Sequence, residues 1–150
     1  MDNIKHDLWL ADDDADDCIF FREVIEDLPI AATLTTVNDG VELMQLLNAQ
    51  PDNLPDILFL DLNMPRKTGF ECLTEIKEDD RLRHLPVIIF STSLDMDVVN
   101  LLYERGAHYY IRKPGEFAKL KEIIHKTISL ISNPDKKQPT KENFVLHSRL

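Results

Sequence analysis

Asp12 and Asp13 follow the short apolar run at residues 7–11, and Asp61 follows Ile57-Leu58-Phe59-Leu60. If those two runs are neighbouring strands of one sheet, the three carboxylates share a rim. Two carboxylates about 4 Å apart repel by roughly 4 kcal/mol at an effective dielectric near 20, so such a cluster must take up protons or a cation. An all-oxygen site that leaves room for water and a phosphate oxygen suits Mg²⁺, which dehydrates reluctantly and takes only one or two protein carboxylates. An aspartate can also act as a nucleophile toward phosphorus, and phosphoryl transfer is promoted chiefly by positioning and charge neutralisation. A cleft for that chemistry needs a hydroxyl and a fixed cation as well. Ser91, at the end of Val87-Ile88-Ile89-Phe90, supplies the hydroxyl, and Lys113, just past residues 108–112, supplies a compact positive charge.

The elements that must position these groups are legible in the hydrophobic pattern. After the first strand, Cys18, Phe21, Ile25 and Leu28 recur at helical spacing. Residues 32–37 form a second strand, Asn38-Asp39-Gly40 a turn, and Val41, Met44 and Leu47 one face of a second helix. The run Ile57–Leu60 is apolar on consecutive residues, as expected of a central parallel strand buried on both faces. Phe70, Leu73 and Ile76 mark the third helix, and Pro86 introduces the fourth strand. A fourth helix bears Met96, Val99 and Leu102, capped by Ser93 or Asp95 and stopped by Gly106. Residues 108–112 are the fifth strand, and the fifth helix carries Phe117, Leu120, Ile124, Ile128 and Ile131 before Asn133-Pro134. Strict alternation with short connections predicts an α/β fold, a parallel sheet with helices on both faces and ligands bound beyond the carboxyl ends of the strands.

At 150 residues the chain has the size of one ordinary domain, read as residues 1–132 with a flexible tail over 133–150 that is polar apart from Phe144-Val145-Leu146 and could order on docking. A net charge of −10 and the lack of a basic stripe argue against binding nucleic acid. No apolar run approaches bilayer length and the amino terminus has no secretory pattern, so a cytoplasmic, membrane-free protein is expected, with Cys18 and Cys72 as thiols. Asp14, Asp16 and Asp17 read as helix-terminal charge, favourable by about 0.3–1 kcal/mol each.

Leu-Ala-Asp12-Asp13-Asp, Leu-Asp61-Leu-Asn-Met-Pro65, Gly69-Phe, Pro86-Val-Ile-Ile-Phe-Ser91 and Tyr110-Ile-Arg-Lys113-Pro114 together resemble the receiver domain of two-component response regulators, over about residues 7–131. The nearest likeness is to free-standing receivers of the chemotaxis or phytochrome-associated kind. The resemblance implies a doubly wound, flavodoxin-like sheet of five parallel strands in the order 2-1-3-4-5. It makes Asp61 the phosphoacceptor, with Mg²⁺ held by Asp12, Asp13, Asp61 and the main-chain carbonyl of Asn63. Ser91 takes the place of the switch hydroxyl, Lys113 that of the phosphate-pairing lysine, and Tyr110 that of the aromatic that follows phosphorylation. Lys113-Pro114 is expected to be cis. Thr92 and Gly115 depart from the usual residue sizes, and Thr92 is expected to slow small phosphodonors.

The implied partners are a histidine kinase or a histidine phosphotransfer protein, a downstream protein target and a possible second copy of the chain. In this reading the protein is no turnover enzyme, promoting only transfer to its own aspartate and subsequent dephosphorylation. A haloacid-dehalogenase-like phosphohydrolase would carry a second acid where Asn63 stands, and a flavin carrier would need a phosphate cradle in place of the acidic loop at residues 12–17. A non-catalytic scaffold with the same fold remains the alternative.

Overall fold

The computed structural model describes residues 5–132 and 138–150. Its elements run β1 (His6–Ala11), α1 (Ala15–Asp27), β2 (Ala32–Val37), α2 (Gly40–Ala49), β3 (Ile57–Leu60), α3 (Gly69–Glu78), β4 (Val87–Ser91), α4 (Met96–Glu104), β5 (Tyr109–Arg112), α5 (Phe117–Ile131) and β6 (Val145–Leu146), with a 3₁₀ turn at Lys141–Asn143 before β6. All pairings are parallel, in the order β2-β1-β3-β4-β5-β6.

Side-chain alternation divides the core between the two faces of the sheet. Leu8 and Leu10, Ile57 and Phe59, and Ile88 and Phe90 pack with Phe21, Val24 and Ile25 of α1 and with Leu120, Ile124 and Ile128 of α5. Trp9, Ala11, Leu58, Leu60, Val87 and Ile89 point the other way, onto Leu43 and Leu47 of α2, Leu73 and Ile76 of α3, and Val99 and Leu102 of α4. Every residue of β3 and β4 is buried, which is why their sequences are apolar without alternation.

Local chemistry starts and stops the helices. Asp14 caps α1 by accepting from the N–H groups of Asp16 and Asp17, and Thr68 with Glu71 forms a reciprocal capping box on α3. Of the two candidate caps for α4, Asp95 is the one used, accepting from Asp97 N–H. Gly106, at φ 95°, takes the left-handed conformation that ends α4.

The sheet has one strand more than the five expected. Phe144 is buried at 1 % exposure, its carbonyl accepts the Tyr110 N–H at 3.0 Å, and Val145 and Leu146 lie in register with Tyr110 and Ile111. Residues 138–150 are therefore not the flexible tail that their polar composition predicts; residues 133–137 lie outside the described residues. A two-residue strand is too short to show a period, and the driving force is non-local: β5 would otherwise leave its N–H and C=O groups on an open edge. Among the described residues no helix is long and apolar enough to cross a membrane.

Candidate functional site

Register brings the acids together. Ala11 is paired with Leu60, so Asp12 and Asp61 leave the sheet side by side, and the Asp61 N–H donates to the Ala11 carbonyl at 2.9 Å. Asp12 is fully buried and Asp61 nearly so, whereas Asp13 is exposed. One carboxylate oxygen from each of Asp12, Asp13 and Asp61 lies within 4.8 Å of the others. Asn63 enters the site through its N–H, which donates to Asp61 Oδ1 at 3.3 Å, and Asp12 Oδ1 accepts the Asp14 N–H at 3.0 Å.

Lys113 reaches the same rim from β5. Arg112 is paired with Ser91, and the Lys113 N–H donates to the Ser91 carbonyl at 2.7 Å, which fixes the root of the side chain. Its Nζ then donates to Asp12 Oδ2 at 2.8 Å, Asp17 Oδ2 at 2.8 Å and Asp61 Oδ2 at 3.3 Å. The ammonium also lies 5.4 Å from the centroid of the Phe90 ring. Among the described residues there is no cis peptide, so Lys113-Pro114 is trans, contrary to expectation. The lysine meets all three acids from the trans backbone, and the trans isomer is the lower in energy for an ordinary X–Pro bond.

Burial pushes the Asp12 carboxyl up to about 6, against the opposing pull of Lys113. Burial would also draw the Lys113 ammonium down, but its hydrogen bonds to Asp12 and Asp17 outweigh that and hold it above the ordinary lysine range. One lysine leaves the four acids around it with excess negative charge. Two buried oxygens, one exposed oxygen and that uncompensated charge fit a hard divalent cation with open positions for water and substrate.

Ser91 is fully buried at the end of β4, with its Oγ 3.3 Å from Ser93 Oγ and accepting the Ser93 N–H at 3.3 Å. Tyr110 is also fully buried, and its hydroxyl donates to the Ser93 carbonyl at 2.5 Å. A hydrogen-bonded path thus runs from Ser91 through Ser93 to Tyr110. Tyr110 is an interior residue, not one at a sheet edge, because β6 lies beyond it. Thr92 is exposed, and an added Cβ at Gly115 would meet nothing within 4 Å.

Gly69 explains how the acidic loop packs. A Cβ at that position would lie 2.1 Å from the Asp61 carbonyl oxygen and 2.9 Å from Leu62 Cα, so the start of α3 sits directly on the backbone of the loop.

Sequence reasoning placed Asp12, Asp13, Asp61, Ser91 and Lys113 at strand ends, and the structure brings these strand ends to one rim; Asn63 joins them through its N–H, and Tyr110, within β5, reaches them only through Ser93. It missed Asp17, read only as helix-terminal charge, and the Phe90 ring beneath Lys113. No local pattern connects Asp17 with a residue 96 positions later.

The family model for the response regulator receiver domain matches residues 8–125. Response regulator Rcp1 of Synechocystis sp. is 31% identical over 121 residues, covering 78% of this chain and 82% of that protein. Among solved structures, the phosphorylated cyanobacterial phytochrome response regulator RcpA superposes with a TM-score of 0.77 at 30% identity, covering 85% of this chain and 94% of that one. The Mn²⁺-bound form of Rcp1 gives a TM-score of 0.73 at 29% identity, covering 79% and 91%.

Proposed function

This chain belongs to the response regulator receiver domain family, and from that premise we propose that it accepts a phosphoryl group on Asp61 from a phosphohistidine and signals by phosphorylation-dependent protein binding. The observation that carries the proposal is the convergence on Asp61 of one lysine ammonium and two further acids at the carboxyl rim of the sheet.

Asp61 attacks phosphorus in line; the phosphorus–nitrogen bond to the partner's imidazole breaks as the Asp61 oxygen–phosphorus bond forms. The imidazole leaves with the electron pair. Lys113 already donates to Asp61 at 3.3 Å, the longest of its three bonds, and turns that donor to a phosphoryl oxygen. The Ser91 hydroxyl, now sharing a 3.3 Å contact with Ser93, is the second protein donor. A divalent cation, Mg²⁺ in this reading, would be held by Asp12, Asp13, Asp61 and the Asn63 carbonyl and would neutralise charge on the phosphoryl oxygens. When Ser91 moves to its new acceptor, its bonds to Ser93 break. The Tyr110 hydroxyl, tied to the Ser93 carbonyl, then senses the change. The phosphorylated state is favoured only by the difference in these contacts between the two conformations.

The partner is a histidine kinase or a histidine phosphotransfer protein, in the cytoplasm. Because RcpA is a phytochrome response regulator, a phytochrome-type kinase is the first candidate. Phosphotransfer from candidate kinases is the test, with Asp61→Ala as control. Trp9, buried on β1 three residues before Asp12, supplies a second readout. Its fluorescence should change with Mg²⁺ plus beryllofluoride in the wild type and not in Asp61→Asn. Labelling of Asp61→Ala, or a wild type inert to both kinase and mimic, would refute the reading.

A further inference from the structure

Lys113 has three N–H donors, and each faces a different carboxylate: Asp12, Asp17 and Asp61. The three acids are not equivalent. Asp12 and Asp61 also belong to the trio whose oxygens lie within 4.8 Å of one another, and Asp17 does not. Whatever charge that trio shares with a cation or a phosphoryl group weakens its hold on the lysine. The hold of Asp17 is undivided.

Asp17 is also the better-anchored partner. It lies in the first turn of α1, directly after the cap at Asp14, on a helix whose Phe21, Val24 and Ile25 are buried against the sheet. Lys113, by contrast, sits beyond the end of β5 on a flexible four-carbon stem. Its side chain is 10% exposed and that of Asp17 34%, so the pair closes the side of the cleft without being sealed from water.

From these contacts we propose that Asp17 is a positioning residue for phosphorylation, holding the Lys113 ammonium over the cleft while its third donor serves the incoming phosphoryl group. The inference rests on the reading of Asp61 as phosphoacceptor. It differs from a helix-dipole role, which Asp16 would fill equally. Asp16 lies one residue earlier in the same turn, is exposed, and is not among the partners of Lys113.

The test compares Asp17→Asn with Asp16→Asn in the full chain, using acetyl phosphate as donor and Mg²⁺ at saturation. Displacing a reacting group by an ångström can cost up to about 100-fold, and partial loss of one of two anchors should lower the maximal labelling rate of Asp17→Asn by about tenfold. Asp16→Asn should stay within about twofold of wild type; removing the Asp17 charge beside the trio weakens Mg²⁺ binding as well, so each rate is compared at its own saturating Mg²⁺, set from the midpoint that Trp9 fluorescence reads. Asp17→Glu, which keeps the charge, should recover part of the rate. The inference is overturned if Asp17→Asn labels as fast as Asp16→Asn, if both slow equally, or if the loss disappears once Mg²⁺ saturates the variant. A wild type that acetyl phosphate and kinases both fail to label would instead remove the reading beneath it.

Discussion

Truncation of Phe144 to alanine tests whether the sixth strand is a real part of the sheet. The ring is 1% exposed, stands edge-on to Tyr103 with centroids 5.2 Å apart, and lies 6.4 Å from the Tyr110 ring. Removing a buried phenylalanine typically costs about 3–5 kcal/mol. Here the loss cannot exceed the free energy that docks residues 138–150, because the segment can detach while the rest of the sheet stays folded. The other ties are the buried Leu146 side chain and hydrogen bonds that include the Tyr103 hydroxyl to the Pro139 carbonyl at 2.8 Å, Gln138 Nε2 to the Ala107 carbonyl at 2.8 Å, and the Ser148 hydroxyl to Glu122 at 2.8 Å. Each hydrogen bond is worth about 1 kcal/mol net, and Leu146 buries less apolar surface than the ring, so the truncated segment is held much more weakly. Native-state hydrogen exchange reads the consequence at one amide, the Tyr110 N–H, whose acceptor is the Phe144 carbonyl. Its protection should fall by at least about 100-fold, the equivalent of roughly 3 kcal/mol. Amides of β4, flanked by β3 and β5, should keep theirs. Unchanged protection at Tyr110, or an equal loss across β4, would refute the reasoning.

Three further outcomes are expected. Mg²⁺ at about a hundred times its dissociation constant should raise the unfolding free energy by about 2.7 kcal/mol in urea titrations, and either Asp12→Asn or Asp13→Asn should remove most of that gain; equal protection of variants and wild type would contradict the metal site. His108 is buried, and burial followed by the nearby Lys77 pulls its pKa down to about 4, so the unfolded chain binds the proton more tightly. Its contribution is intact above about pH 6.5 and is lost as pH falls toward 4, by up to about 3 kcal/mol; His108→Gln should flatten that part of the urea-versus-pH curve, and an unaltered slope would count against it. Gly69→Ala forces a Cβ against the Asp61 carbonyl, so it should cost about 1–3 kcal/mol and slow Asp61 labelling, whereas a neutral result would mean that the loop can move aside.

Much of this molecule could be read directly from its residues. The wholly apolar runs of β3 and β4 marked them as central strands, because only a strand buried on both faces loses its alternation. With the chain order of five strand–helix cycles, that was enough to put Asp12, Asp61, Ser91 and Lys113 at successive strand ends. The start of α4 at Asp95, one of two candidate caps, and its stop at Gly106 followed from capping chemistry confined to a few neighbouring residues.

What tertiary structure alone decided were the contacts between parts far apart in the chain. Residues 138–150 look like solvent-loving tail until the open edge of β5 is there to receive them. Asp17 looks like helix-terminal charge until α1 and the end of β5 are folded onto the same rim, 96 residues apart. Periodicity, caps and turns report free energies that neighbouring residues settle among themselves. Edge pairing and the sharing of one ammonium among three acids depend on where the sheet delivers groups in space, and no short stretch of sequence records that.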